Sequence, residues 1–170
     1  SQPAVAESAT SLGGYGELHF NMLDDQTSDA EKNEVDFHRF VMFLDHEFND
    51  RLRFVSELEV EHALSGDDQP GEVELEQAYV EYDWADKHSL KAGLFLVPVG
   101  ILNETHEPPT FYGVERNPVE NRIIPTTWWE AGLTFSGNFA DALRYDFALH
   151  SGLETDAGSK YAIRNGRQKA

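Results

Sequence analysis

Leu52-Arg53-Phe54-Val55-Ser56-Glu57-Leu58-Glu59-Val60-Glu61 alternates in side-chain character without a break. Leu52, Phe54, Ser56, Leu58 and Val60 fall on one side of an extended chain. Arg53, Val55, Glu57, Glu59 and Glu61 fall on the other. Helical spacing would scatter the three glutamates around a cylinder. On a strand they form a row, with neighbours ~7 Å apart. The stretch reads as a β-strand with one apolar and one charged face.

The same period recurs along the chain. Tyr15 to Met22 sets Gly16, Leu18, Phe20 and Met22 against Tyr15, Glu17, His19 and Asn21. Val73 to Trp84 sets Ala78, Val80, Tyr82 and Trp84 against Gln77, Tyr79, Glu81 and Asp83. Ser89 to Val97, Trp128 to Gly137 and Leu143 to Ser151 alternate likewise, with Lys91 and Arg144 on the polar sides. Val35 to Phe48 is the least clean, because Arg39, Val41, Phe43 and Asp45 mix on the face opposite Phe40, Met42, Leu44 and Phe48. About seven strands of ~9–11 residues result, the length a tilted membrane-crossing strand needs. A weaker eighth is expected near Lys160 to Arg164.

The connections follow a second pattern. Phe48 to Arg51, Ala85 to His88 and Asn138 to Asp141 are short turns; Leu23 to Glu34, Ala63 to Glu72 and Pro98 to Thr127 are long polar links. Short turns alternate with long loops in outer-membrane barrels. Phe48, Tyr82 and Trp84 stand beside short turns and Trp128 and Trp129 beside a long link, as interfacial aromatic girdles require. The expected fold is all-β, an antiparallel transmembrane β-barrel of which this chain supplies seven or eight strands. Residues 1-12 are expected to be a flexible mature N-terminus. Residues 13-170 would form the N-terminal portion of the barrel, with a long loop at 98-127.

Composition narrows the function. Thirteen basic residues against 31 acidic ones give a formal net charge of -18. That argues against nucleic acid as a partner, which calls for clustered Lys and Arg. The absence of Cys removes disulfides, thiol catalysis and thiolate metal sites. No nucleophile elbow, phosphate loop or zinc-helix motif occurs, so no catalytic residue is assigned and no enzyme activity is expected. The histidines show no spacing typical of a closed zinc site. His106 beside Glu104 and Glu107 is read as a solvated or hydrogen-bonded side chain, and neither metal nor cofactor is expected.

From Val35 onward the chain resembles the porin family that includes the phosphate-selective porins. The resemblance is carried by Val35-Asp36-Phe37-His38-Arg39-Phe40-Val41-Met42-Phe43-Leu44, the Leu52 strand, Glu76-Gln77-Ala78-Tyr79-Val80-Glu81-Tyr82 and Leu90-Lys91-Ala92-Gly93-Leu94-Phe95-Leu96-Val97-Pro98-Val99-Gly100. Gly113-Val114-Glu115-Arg116-Asn117 and Trp128-Trp129-Glu130-Ala131-Gly132-Leu133 continue it. The resemblance implies a sixteen-stranded barrel, commonly trimeric, integral to the bacterial outer membrane of a Gram-negative envelope. It also implies a constriction loop folded into the lumen.

On that reading Glu17, His19, Arg39, Arg53, Glu57, Glu59, Glu61, Tyr79, Glu81, Lys91 and Arg144 line the pore. Glu104, His106, Glu107, Glu115, Arg116, Glu120 and Arg122 belong to the constriction loop. The expected function is passive diffusion of ions and small hydrophilic solutes with a leaning towards cations, because the wall carries more carboxylates than bases. Phosphate selection would need a ladder of Arg and Lys and is not carried over. The expected partners are outer-membrane lipid, small ions and hydrophilic solutes, and further copies of the chain in a homo-oligomer. The rival reading is a soluble or plugged β-sheet protein that binds a carbohydrate or a protein; it would hide its apolar faces inside.

Overall fold

The computed structural model describes residues 9–24, 26–28, 31–63, 68–69, 71–113, 127–140 and 142–153. The expected eighth strand at 160–164 lies outside these residues. Seven strands form: β1 (Ala9–Asp24), β2 (Glu31–Asn49), β3 (Leu52–Glu61), β4 (Val73–Ala85), β5 (His88–Leu96), β6 (Trp129–Phe139) and β7 (Leu143–His150). They make one antiparallel sheet in chain order, with β1 and β7 at its edges. The turns between β2 and β3 and between β4 and β5 hold two residues each, Asp50-Arg51 and Asp86-Lys87.

The first two strands exceed their expected bounds. β1 starts at Ala9, so Ala9–Leu12 are strand and not part of a flexible leader. It runs on to Asp24 and β2 begins at Glu31, which shortens the expected Leu23–Glu34 link. Both extensions lack alternation because pairing creates them. Ala9 stands opposite Glu47, and Asp24 opposite Glu31. Lys32 pairs with Glu34 at 2.7 Å on the outer extension.

Besides irregularities beside the two short turns, two bulges within the strands set the faces. Glu17 pairs with Arg39, but Leu18 pairs with Phe37, which leaves His38 over. Glu57 pairs with Gln77, but Leu58 pairs with Leu75, which leaves Glu76 over. An extra residue in one strand reverses the phase of everything beyond it. Val35 and Phe37 therefore share an outer face with Phe40 and Leu44, all four exposed. The bulge explains why Val35 and Phe37 are out of step with Phe40 and Leu44 in sequence, while Arg39, Val41, Phe43 and Asp45 share the opposite face as expected.

The burial is inside out. On one face stand exposed apolar side chains, among them Leu18 (64%), Phe20 (66%), Met22 (70%), Trp84 and Phe147. The other face is covered, and most of its buried side chains are polar: Arg39, Glu57, Glu59, Glu76, Glu81 and Glu130, against Val41, Tyr79 and Phe95. A soluble sandwich would show the reverse. We call the polar side the inner face.

The short-turn end carries an aromatic group on the outer face. The His88 ring lies 5.3 Å from Trp84 and 5.9 Å from Tyr145, and Phe139 lies 4.9 Å from Tyr145. Trp128 departs from the expected girdle. It turns to the inner face, where its Nε1 donates to Glu130 at 3.0 Å.

Gly93 lets β5 approach β4. Its φ is +137°, and a Cβ there would lie 2.4 Å from the Ala78 carbonyl oxygen and 2.8 Å from the Tyr79 Cα. Gly93→Val should therefore cost more than the ~1–3 kcal/mol of a strained backbone position. The expected result is a clear drop in folded yield after refolding, read by circular dichroism. A yield equal to the parent's would show that the β4–β5 pairing tolerates a side chain there.

Candidate functional site

The inner face gathers the wall residues expected from sequence. Arg39, on β2, bridges β1 and β3: its Nε lies 2.9 Å from Glu17 and its Nη1 3.2 Å from Glu59. Arg53 donates through Nε and Nη2 to one Glu81 oxygen, at 3.0 and 2.8 Å. Lys91 sits over the Tyr79 ring, 4.9 Å from its centroid. Arg144 meets Asp146 at 3.0 Å. Glu61 ends the glutamate row, and its backbone N–H donates to the Glu72 carbonyl at 2.9 Å. His19 hydrogen-bonds Glu17 at 2.6 Å and stacks on His38.

Near the short turns the same face holds a cavity of about 670 Å³. Arg53, Lys87, Lys91 and Arg144 line it together with Asp50, Glu81, Asp83 and Asp86. The charges there are mixed, whereas the glutamate row lies towards the long links.

The loop after β5 folds onto this face. Asn103, 2% exposed, closes its neck. The Asn103 amide donates to the carbonyls of Val97 (2.7 Å) and Trp128 (2.8 Å), and its Oδ1 accepts from the Trp128 N–H at 2.8 Å. Beyond the neck a 3-10 turn spans Asn103–Thr105, and a second, started by two prolines, spans Pro108–Thr110. Proline's fixed φ suits the first positions of such a turn.

Three loop side chains then reach four strands, β1, β3, β4 and β7. Glu107 accepts from the Tyr15 hydroxyl on β1 and lies against Glu57 on β3. His106, buried, meets Glu76 on β4 at 3.2 Å and the Asn103 carbonyl at 3.1 Å. Glu104 meets Arg144 on β7 at 3.5 Å. Glu104 and His106 are thus parted, contrary to the grouping suggested by their closeness in sequence. Three residues per turn places positions two apart on different sides of a 3-10 turn. Glu115, Arg116, Glu120 and Arg122 lie outside the described residues.

Sequence reasoning put Tyr15 and Gln77 on polar faces without naming them as site residues, and it missed Glu76 and Asn103. Gln77 donates to Glu57 at 2.6 Å, and Glu76 holds the loop. The bulge turns Glu76 towards the inner face beside Gln77, which was already in phase with Tyr79 and Glu81. Glu57, Glu76 and His106 place one ligand atom each within 4.8 Å of one another, all buried, so they have the donors to hold a cation. No arrangement of nucleophile, base and oxyanion donors is seen among the described residues.

The comparisons with known proteins agree with this arrangement. A protein of Aquifex aeolicus (strain VF5), described as uncharacterized, is 41% identical over 150 residues. The match takes in 87% of this chain and 33% of that protein, so the chain spans about a third of the relative's length. The pattern of the family described as "Phosphate-selective porin O and P" matches residues 12–164. That interval runs from the first strand through the loop to beyond β7. A sheet with an apolar outside, a charged inside and a loop laid across the charged side is thus joined by a sequence match along most of its length, and the chain belongs to the family of phosphate-selective porins O and P.

Proposed function

We propose that this chain forms part of the wall of a water-filled channel in the bacterial outer membrane, through which ions and small hydrophilic solutes diffuse passively. The observation that carries this reading is the inside-out burial: apolar side chains exposed on one face, ion-paired carboxylates and bases covered on the other. Lipid would cover the first face and water the second. Among the described residues β1 and β7 end the sheet, and in hydrocarbon such edges need further strands, since unpaired backbone groups are not tolerated there. Assembly of the channel as a homotrimer is part of the proposal and rests on the family.

The passage leans towards cations. Arg39, Arg53 and Arg144 are each engaged by carboxylates, and Lys91 by the Tyr79 ring, so they offer no open ladder for phosphate. The loop residues Glu104, His106 and Glu107 narrow the passage from inside.

Full-length protein in a planar bilayer tests this. Under a KCl gradient it should show stepwise conductance with a reversal potential directed to cations. Folded protein without conductance would leave the plugged barrel or the binding module. A unit charge ~7 Å from a permeating ion in water contributes about 0.6 kcal/mol, roughly threefold in local concentration. Replacing Glu57, Glu59 and Glu61 together by Gln should therefore lower the cation-to-anion permeability ratio at least about threefold. An unmoved ratio would remove the glutamate row from selectivity.

A further inference from the structure

Three of the histidines converge, although nothing in their sequence spacing shows it. His19 lies on β1, His38 on β2, and His62 directly after β3. The His19 and His38 rings stack at 4.3 Å with an interplanar angle of 6°. The His62 ring meets His38 edge-on at 5.3 Å. Asp36 sits between two of them: its carboxylate lies 3.1 Å from His38 Nδ1, and 2.9 and 3.0 Å from His62 Nδ1.

Two separate departures from regular strand geometry bring these rings together. His38 is the residue left over at the β1–β2 bulge. His62 has φ +53°, a left-handed conformation uncommon outside glycine that histidine adopts more readily than most residues. Its backbone N–H donates to the His38 carbonyl at 3.1 Å, which fixes it over β2.

We propose that Asp36, His38 and His62, with His19 beside them, bind a divalent transition-metal ion of the zinc class at the long-link end of the inner face. The ligand atoms of Asp36, His38 and His62 lie within 4.8 Å of one another, and so do those of Glu17, His19 and His38. Imidazole nitrogens with a carboxylate oxygen suit zinc, nickel or copper. Magnesium and calcium prefer all-oxygen shells. Glu17 serves as the orienting partner of His19: one oxygen holds the His19 ring at 2.6 Å, the other pairs with Arg39 at 2.9 Å. Carboxylates behind metal-binding histidines fix the ring in this way. Without metal, hydrogen bonds join Asp36 to the two Nδ1 atoms; with metal, each Nδ1 would give its lone pair to the ion while the ring keeps one proton on Nε2, and a doubly protonated ring would release its second proton to solvent.

The test uses full-length protein in detergent, treated with chelator and then titrated with ZnCl2 by calorimetry, and separately with CoCl2 to read ligand-field absorption. The parent and a His106→Gln variant should each bind zinc, with magnesium in large excess failing to compete. His38→Gln and His62→Gln should lose affinity by at least the roughly 10–100-fold that even an outer partner of a metal ligand is worth. They should also lose the cobalt spectrum. Should His38→Gln fail to fold, His62→Gln, outside the strand ladder, decides alone. Absence of zinc binding in the parent would overturn the proposal. So would affinity that survives in folded His62→Gln, or that is lost on changing His106 instead, which would move the ion to the loop cluster.

Discussion

Removing Glu104 to Tyr112 and bridging the gap with a short Gly-Ser link is expected to raise the single-channel conductance of the full-length protein, in the channel proposed above, at least about twofold. The segment carries the contacts that lay the loop across the inner face: Glu104 to Arg144, His106 to Glu76 and Glu107 to Tyr15. Conductance of a water-filled passage grows with its open section, so material taken from the inner face must show. The wall itself is left intact. The neck bonds of Asn103, and the Val97 N–H to Trp128 carbonyl bond at 2.9 Å, lie outside the deletion. Glu57 and Glu76 then face water, which solvates them. Conductance equal to the parent's would mean that the loop does not narrow the passage.

The second large effect is expected at the neck. Asn103→Ala removes two donated bonds and one accepted bond at a buried position. The Trp128 carbonyl keeps the Val97 N–H, but the Trp128 N–H loses its acceptor. That N–H is part-buried, so leaving it unsatisfied costs towards the lower end of the about 1–3 kcal/mol of a buried unsatisfied donor, and the lost bonds add about 1 kcal/mol each. The loop should then leave the inner face for part of the time. Bilayer records should show current steps between a narrow and a wide level, and a protease added to folded protein should cut between Asn103 and Thr127. A quiet channel with an uncut loop would show that the contacts of Glu104, His106 and Glu107 hold it unaided.

The strands were legible because burial on one face writes a period of two into the sequence, and each of the seven carries it over part of its length. What escaped was set by pairing between distant segments. The two bulges do leave a mark: the apolar spacing widens from two to three, between Phe37 and Phe40 and again between Leu75 and Ala78. Each gap encloses two adjacent polar residues, His38-Arg39 and Glu76-Gln77, and both pairs face inward. Read that way, the sequence would have put Glu76 on the inner face. The first half of β1 has no such mark, because Ala9 to Gly14 take their conformation from the partner strand. Asn103 and the histidine cluster left none either. Their partners lie 25 residues away for Asn103 and Trp128, and 26 for His62 and Asp36.

The Glu17–Arg39–Glu59 row also bears on how the sheet assembles. Each ion pair joins neighbouring strands at one register. A slip of β2 by one residue would carry Arg39 to the opposite face. In a membrane that face meets hydrocarbon, where an arginine near the midplane costs roughly 2–4 kcal/mol. Two stranded carboxylates would remain on the inside. On the proposed placement in a membrane, the row would thus favour the native register of the first three strands over a one-residue slip.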